Sequence, residues 1–418
     1  MPGNRLALGI VFLTVFLDLI GFGIVLPLLP FYATELGATP LMVGLIIASY
    51  SGMQFLFSPV WGALSDRHGR RPLLLVGLIG SALSYVVFGL ARSLEVLLLS
   101  RVVAGFMGAN IPVAQAYIAD STSAEHRARG MGLIGAAFGL GFIFGPAIGG
   151  GLSRWGYGVP GFVAAGLSFA SAVAAWFLLP ESLAPENRRH GTGLGIAQAL
   201  VGRARSARRV LARVRLRIPI GAFFLGTMGF AGFTTTFPLF LESPLHLSAA
   251  HAGALFALVG LISAAVQGGL IGPLVERRGE RAVAAAGGLL LGAGVALMGV
   301  LQTVNATLGL LVLVGAGWGL LAPSLQSLVS RRALSVEQGE VLGVNQSASA
   351  ASRVIGPVAA GWAFGALGPA LGFIAGGALI VASAGVVWWM PSAGAGDREE
   401  DQAAPEASVG SRSAAMIR

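Results

Sequence analysis

Residues 62–71 read GALSDRHGRR and residues 272–281 read GPLVERRGER, two similar basic decapeptides that begin 210 positions apart. Each lies between two long apolar runs, so each is a short polar connection between membrane-like segments. Both copies have an acid at their fifth position, Asp66 and Glu276, and a glycine at their eighth, Gly69 and Gly279. A motif that recurs together with its flanking runs indicates an internal duplication.

The duplication extends through the chain at an offset of 211 residues. This offset carries glycines, prolines and a glutamine of the first half onto identical residues of the second: Gly21 to Gly232, Pro27 to Pro238, Pro112 to Pro323, Gln115 to Gln326, Gly132 to Gly343, and Gly145-Pro146 to Gly356-Pro357. We therefore predict two parallel copies of a six-helix unit. Because six is even, both copies enter the membrane from the same side and are related by an axis along its normal, an arrangement typical of transporters.

The composition excludes a soluble enzyme. Of 418 residues, 55% are hydrophobic and 11% are charged, against roughly 25% charged in soluble domains. Twelve apolar runs approach or exceed the ~20 residues that a spanning helix needs: 5–31, 41–63, 72–91, 95–118, 128–152, 158–180, 217–241, 250–275, 282–302, 307–330, 340–366 and 370–391. Runs of this length with apolar residues all round are helical, since barrel strands are shorter and alternate in polarity. The predicted fold class is an all-α membrane protein with twelve transmembrane helices, the first of them a retained helix and not a signal peptide.

Arginine predicts the orientation. All 27 basic residues are arginine. Most of them lie in the connections between helices 2 and 3, 4 and 5, 6 and 7, 8 and 9, and 10 and 11. The other connections hold only Arg92 and Arg154. The positive-inside rule then places the arginine-rich connections and both termini in the cytoplasm, in a multi-pass protein of the inner (plasma) membrane. Topology also accounts for the net charge of +9, so we expect no nucleic-acid partner.

Four regions follow from these patterns. Residues 1–180 form an N-terminal six-helix bundle, 181–216 a cytoplasmic basic linker, 217–391 a C-terminal six-helix bundle, and 392–418 a disordered cytoplasmic tail. The linker carries apolar residues among its arginines at helical spacing, which predicts an amphipathic helix on the inner leaflet. A solvated basic connection explains the linker equally well.

The first decapeptide is a candidate cytoplasmic gate. Gly62 permits close helix approach and Gly69 permits a tight turn. Its charged residues, with Asp120 at the cytoplasmic end of helix 4, can form ion pairs that must break when the halves separate: Asp66, Arg67, Arg70 and Arg71. The alternative is that these arginines only determine topology.

One acidic residue is predicted near the middle of the membrane. Asp18 follows Arg5 by thirteen residues, or ~20 Å along a helix. Because a charge at this depth is costly, such a group is by default functional or paired. We predict that Asp18 binds the transported proton and that Arg101 modulates it. The alternative is a permanent Asp18–Arg101 ion pair that holds helices 1 and 4 together.

Helix 5 carries glycine at helical spacing followed by Gly-Pro, in the segment GAAFGLGFIFGPAIGG at 135–150. Small faces let helices approach closely, and proline weakens the local hydrogen-bond ladder. The residues singled out are Gly139, Gly145, Pro146 and Gly149. Plain packing is the alternative explanation.

Polar residues within the spans are candidates to line a central substrate cavity, although each one taken singly is also explained by contacts between helices. They are Gln54, Ser84, Tyr85, Asn110, Gln115, Ser263, Gln267, Gln326, Gln346 and Arg353. Scattered amides and aromatics in an apolar cavity suit amphipathic organic molecules. Arg353 needs either a carboxylate partner or an anionic group of the substrate, and the sequence leaves both open.

Several segments resemble signatures of the major facilitator superfamily, in its drug:proton antiporter branch, and are similar to tetracycline efflux proteins. They are LDLIGFGIVLPLLP at 17–30, QFLFSPVWGALSDRHGRRPLLLVG at 54–77, RVVAGFMGAN at 101–110 and AYIADSTSAEHRARGMGLIGAAFGLGFIFGPAIGG at 116–150, with looser matches at 271–281, 322–332 and 355–357. The resemblance implies alternating access driven by proton influx, with Asp66 and Arg70 in the gate, Asp18 and Arg101 in coupling, and Gly145-Pro146 in the antiporter segment.

The chain departs from the tetracycline exporters at three positions. Ser84 and Ser263 replace an acid and a histidine of those exporters, and no acid is present near Leu291. The departures imply a substrate other than tetracycline.

The predicted function is a proton-coupled antiporter that exports a drug-like or other hydrophobic organic compound. Import of a small metabolite by a proton symporter or uniporter is the alternative. The partners are a small organic substrate, protons and the lipid bilayer, and we expect a monomer. No Ser-His-Asp set, phosphate loop or metal cluster stands out, and cysteine is absent, so we expect neither an enzyme nor a cofactor or metal.

Overall fold

The computed structural model describes residues 2–108, 111–122, 124–188, 196–334 and 337–390, and within these ranges it contains helices and no strands. The first half comprises α1 (Pro2–Val25), α2 (Leu29–Glu35), α3 (Pro40–His68), α4 (Arg70–Gly89), α5 (Leu94–Met107), α6 (Ile111–Ser121), α7 (Ala124–Leu152) and α8 (Gly158–Leu178). After α9 (Ile196–Ala212), the second half comprises α10 (Val214–Glu242), α11 (Ala249–Ala265), the π-helical segment Val266–Leu270, α12 (Ile271–Val300), α13 (Val304–Arg331) and α14 (Gln338–Trp388). Short 3₁₀ turns cover Ser153–Trp155 and Pro185–Asn187.

Ten stretches of the described helices are long and apolar enough to cross a membrane, and two of them exceed fifty residues. Ala249–Val300 contains Gly279, and Gln338–Trp388 contains Gly368; both glycines have positive φ and interrupt the helix. A helix of 20 residues spans about 30 Å, so each long stretch divides at its glycine into two spanning lengths. The fold is an all-α membrane fold, and this division accounts for the twelve predicted helices.

The first predicted helix, 5–31, is not continuous. The structure ends α1 at Val25 and begins α2 at Leu29, with a turn between them. Pro27 and Pro30 explain the break, because proline has no N–H to donate and disfavours helical geometry in the residue before it.

The duplication is also present in the backbone. Gly69 (φ 104°) and Gly279 (φ 77°) occupy equivalent positions, and so do Gly156 (φ 107°) and Gly368 (φ 83°). L-residues rarely adopt this left-handed region, so each turn requires glycine. The turns at Gly69 and Gly156 precede α4 and α8 in the first half. The turns at Gly279 and Gly368 divide α12 and α14 at the corresponding points of the second half.

The two halves pack against each other at the end remote from the arginine-rich connections, hereafter the opposite end. On α7 and α11, a β-carbon built on Gly150 would lie 2.9 Å from the Cα of Gly253. On α3 and α14, a β-carbon on Gly361 would lie 3.1 Å from the carbonyl carbon of Pro40. Glycines of these helices nearer the arginine-rich end have nothing within 4 Å of such a carbon, among them Gly62, Gly132, Gly135, Gly139 and Gly343. The contacts between α7 and α11 and between α3 and α14 are therefore tight at the opposite end and open toward the arginine-rich end.

Helix α9 contacts both halves at the arginine-rich end. Arg203 donates to the Phe55 carbonyl at 2.7 Å, and Arg209 pairs with Glu340 at 2.7 Å. Val210 is buried in an apolar cluster with residues of α10, α13 and α14. This helix lies within the predicted basic linker, whereas the predicted tail, 392–418, is outside the described residues.

Candidate functional site

Asp18 lies on α1 without a charged partner. Its Oδ1 atom is buried and accepts no hydrogen bond, and the hydroxyl of Ser81 on α4 is near the carboxyl group. No ion pair joins Asp18 to any basic residue of the described chain. A buried carboxyl group without a cation is well suited to proton binding, since its neutral form is the cheaper one to bury.

Arg101 on α5 is 3% exposed and is also without a carboxylate. Its guanidinium lies over the rings of Phe88 and Tyr85, 5.0 and 5.7 Å from their centroids, and Nε approaches the Ser100 hydroxyl at 3.3 Å. Its Nη2 atom is buried with no partner. Asp18 and Arg101 therefore do not form the permanent ion pair that was the alternative to a proton site; aromatic faces stabilise the arginine instead.

Tyr50 on α3 lies where α3 meets α1 and α5, and it was not among the candidates from the sequence. Its hydroxyl would lie 3.1 Å from a β-carbon built on Gly108 at the end of α5. The ring packs 5.1 Å from that of Phe22 on α1. A polar aromatic residue in the apolar run 41–63 was the available signal, but its central position depends on how three helices meet.

Arg353 on α14 lies midway between Gln338 and Gly368. Its Nη1 donates to Ser349 Oγ at 2.7 Å, one turn earlier on the same helix. No described carboxylate lies within ion-pair distance of it. The sequence left open whether Arg353 pairs with a carboxylate of the protein or with an anionic group of the substrate. The described residues provide no such carboxylate.

The remaining cavity candidates are divided by the structure. Four are engaged within the protein: Gln54 donates to the Gly108 carbonyl (3.1 Å), Ser84 to Ser81 (2.7 Å), Ser263 to Gly315 (2.7 Å), and Gln326 accepts from Asn345 (3.0 Å). Tyr85 is buried beside Arg101, and Gln115 is partly buried. Gln267 and Gln346 are exposed, and Asn110 lies outside the described residues. Of the described candidates, Tyr85 packs against α1 next to Asp18, with its ring 3.2 Å from a β-carbon built on Gly21.

The candidate gate residues are joined within the first half. Arg70 is 8% exposed and pairs with Asp66 on α3 and, at 3.0 Å, with Asp120 on α6. It also donates to the Ser65 hydroxyl at 2.6 Å. The ion pairs of Arg70 thus tie together helices of one half in this state, not the two halves as the sequence analysis expected. Of the other gate residues, Arg67 is exposed, and Arg71 donates to the Trp176 carbonyl on α8.

Glu181, which the sequence analysis missed, anchors the same connection. Its carboxylate accepts from the backbone N–H groups of Arg70 and Arg71, at 2.8 and 3.2 Å, and from those of Ser182 and Leu183. A β-carbon at Gly69 would collide with this carboxylate. Gly69 is therefore required both by its positive φ and by the approach of Glu181.

The glycine segment of α7 serves two neighbours. A β-carbon on Gly145 would lie 2.6 Å from the Cα of Gly23, and one on Gly149 would meet the backbone of Ile24, so both pack against α1. The Pro146 carbonyl faces Gly253 of α11, in the other half. Gly139 has nothing within 4 Å of an added β-carbon.

A hydrogen bond joins the halves at the opposite end. Thr34 on α2 donates to Glu242 at the end of α10, with oxygen distances of 2.9 and 3.2 Å. Burial, with the charges of Glu242 and Glu35, raises the pKa of the nearby Tyr157 phenol above its ordinary value. The Thr34–Glu242 hydrogen bond thus adds a polar contact to the close-packed glycines at this end.

Within the described ranges, no three His, Asp or Glu side chains gather into a metal-binding group. The site is instead one acid, two arginines and two tyrosines between helices, an arrangement that can bind a proton and a small charged molecule.

Comparison with known proteins agrees with this architecture. The model of the Major Facilitator Superfamily matches residues 11–357 and 269–414. The tetracycline resistance protein, class C, of Escherichia coli is 32% identical over 374 residues, which cover 86% of this chain and 89% of that protein. Multidrug resistance protein 2 of Bacillus subtilis (strain 168) is 27% identical over 354 residues, covering 84% and 86%.

A solved structure is similar as well. The crystal structure of the human organic anion transporter MFSD10 (TETRAN) superimposes with a TM-score of 0.69 and 29% sequence identity, over 93% of this chain and 100% of that one.

Proposed function

The chain belongs to the Major Facilitator Superfamily, and from that premise we propose that it is a proton-coupled antiporter that exports a drug-like or other hydrophobic organic compound by alternating access. It is a multi-pass membrane transporter and not an enzyme.

The observation that carries the proposal is the buried Asp18 carboxyl group without a charged partner. A carboxylate that is permanently paired with a cation would not exchange a proton. Asp18 instead has a buried carboxyl oxygen that accepts no hydrogen bond. Because ionising it costs more when it is shielded from water than when it faces a wetted pathway, each change of access can change its protonation.

The position of the open end supports the proposed direction of transport. By the arginine distribution, the arginine-rich end is cytoplasmic and the opposite end is extracytoplasmic. The structure then corresponds to a state open to the cytoplasm and closed by the contacts of α7 with α11 and of α3 with α14. Export would require these contacts to open while the arginine-rich ends come together.

The relatives support efflux but differ in substrate. Their names give tetracycline resistance, multidrug resistance and organic anion transport. Ser84 and Ser263 stand where tetracycline exporters resembling this chain have an acid and a histidine. We therefore propose export of an organic compound other than tetracycline.

Everted membrane vesicles test the proposal. Acidifying the vesicle interior should drive uptake of hydrophobic dyes from a broad panel, and Asp18→Asn should abolish the dependence on the pH gradient. The control is Glu95→Gln, which removes an exposed acid at the start of α5. Absence of uptake across the panel, or a gradient dependence that survives Asp18→Asn, would overturn the proposal.

A further inference from the structure

We propose that the transported molecule is an organic anion, with its carboxylate or sulfonate bound by Arg353 and a second positive charge supplied by Arg101. The inference rests on the proposed transport function and specifies the chemistry of its substrate.

The charges at the centre of the molecule are unbalanced. Arg101 and Arg353 provide two guanidinium groups, while Asp18 is the one acid away from the ends of the described spans. Asp18 pairs with neither arginine, and Arg101 retains a buried nitrogen without an acceptor. A buried guanidinium without an anion is costly, so a positive site of this kind favours an anionic ligand.

The two arginines lie on different halves of the protein. Arg101 belongs to α5 of the first half and Arg353 to α14 of the second, and Tyr50 of α3 lies at the end of α5, with its hydroxyl 3.1 Å from a β-carbon built on Gly108. The next residue of α14, Val354, has its Cγ2 3.9 Å from a β-carbon built on Gly52 of α3. An anion near Tyr50 would therefore be bound at the junction between the halves, where a change of access alters its surroundings.

The second half, to which Arg353 belongs, also contains a stacked aromatic pair. Phe230 on α10 and Trp318 on α13 are partly exposed and stack with ring centroids 3.8 Å apart and planes within 7°. The backbone of Gly356, one turn beyond Arg353, packs against Met228 and Ala231 on either side of Phe230. Aromatic pairs of this kind bind flat apolar groups, so the probes below carry a naphthalene ring.

The hydrogen bond of Arg353 to Ser349 does not explain why a charged side chain occupies this position. A neutral hydroxyl one turn away satisfies one N–H and leaves the charge uncompensated. Charge-assisted pairing with a carboxylate or sulfonate would use the planar, multidentate geometry that distinguishes arginine from lysine.

Anion export also agrees with proton antiport. Exchange of one monovalent anion for one proton carries two positive charges inward, so a membrane potential that is negative inside drives the exchange in the direction of export.

Matched naphthalene probes test the inference on the purified full-length protein in detergent. Naphthalene-2-carboxylate and naphthalene-2-sulfonate carry a negative charge, and naphthalene-2-carboxamide is a neutral analogue of the same shape. We expect isothermal titration calorimetry to give at least about tenfold tighter binding of the anions. Arg353→Gln should remove this preference while leaving carboxamide binding unchanged, and Arg217→Gln, which removes an exposed arginine elsewhere, should change neither.

Arg353→Lys keeps the test decisive if the glutamine variant does not fold. Lysine retains the charge but loses the planar fork, so carboxylate binding should weaken several-fold at constant carboxamide binding. Equal binding of carboxamide and carboxylate by the wild type, no binding of any probe, or an anion preference indifferent to Arg353 would overturn the inference.

Transport data separate this inference from the proposed function. Proton-driven uptake of neutral dyes with no anion preference would leave the transport proposal standing and remove the anion site. Binding of anions that depends on Arg353, without proton-driven transport, would do the reverse.

Discussion

Arg331 pairs with Glu280 across 2.9 Å, and these two residues occupy the positions that Asp120 and Arg70 hold in the first half. The offset of 210 carries Arg70 onto Glu280, and the offset of 211 carries Asp120 onto Arg331. The duplication has thus kept the ion pair and exchanged its signs. Each pair joins helices within its own half and does not link the two halves.

The two pairs should differ in strength because they differ in burial. The Arg70 side chain is 9% exposed and the Arg331 side chain 72%. We expect Arg70→Gln to lower stability by about 1–3 kcal/mol, since it leaves two acids without their shared cation, and Arg331→Gln by about 0–1 kcal/mol. Thermal unfolding of both variants in detergent checks the order, and equal losses would contradict it.

The Thr34–Glu242 hydrogen bond should favour closure of the opposite end. Thr34→Val removes a donor worth about 0.5–1.5 kcal/mol, so the ratio of open to closed molecules at that end should rise roughly two- to tenfold. The chain contains no cysteine, so spin labels on Arg92→Cys and Ser243→Cys report this distance without background. Thr307→Val, which removes a hydroxyl at the same end within one half, should leave the distance distribution unchanged.

Close approach of α7 and α11 should depend on Gly253. An added β-carbon there would lie 2.7 Å from the Cα of Gly150 and would also meet the Pro146 carbonyl, so Gly253→Ala must push the halves apart at the opposite end. We expect reduced transport and a longer distance between the same spin labels. Gly166→Ala, at an exposed position with nothing within 4 Å, provides the control, and identical behaviour of the two variants would refute this role.

Helix α9 should be held to the first half by Arg203. Its guanidinium donates to the Phe55 carbonyl and lies 5.2 Å from the centroid of the Phe55 ring. Burial lowers the pKa of Arg203, but an arginine remains charged at every physiological pH. Arg203→Ala should therefore increase amide hydrogen exchange in α9, whereas Arg205→Ala, at an exposed position, should not. Unchanged protection in the first variant would show that the contact does not hold the helix.

Part of the candidate site could be predicted from the sequence. Asp18 stood out as the one acid in the middle of an apolar run, and Arg353 as an arginine in a similar position. Their partners could not be predicted, because they depend on how the helices are rotated: Arg101 contacts Tyr85 and Phe88 instead of Asp18. Tyr50 and Glu181 were missed for the same reason, since each acquires its role from helices distant in the chain.

The sequence by itself determined the spans, their duplication and the distribution of arginine, because hydropathy and charge are properties of local stretches of about 20 residues. Only the tertiary structure decided which charges meet, which end is closed and that Arg70 ties together a single half. Those features depend on distances of a few ångströms between helices far apart in the chain, and no local stretch of sequence determines such distances.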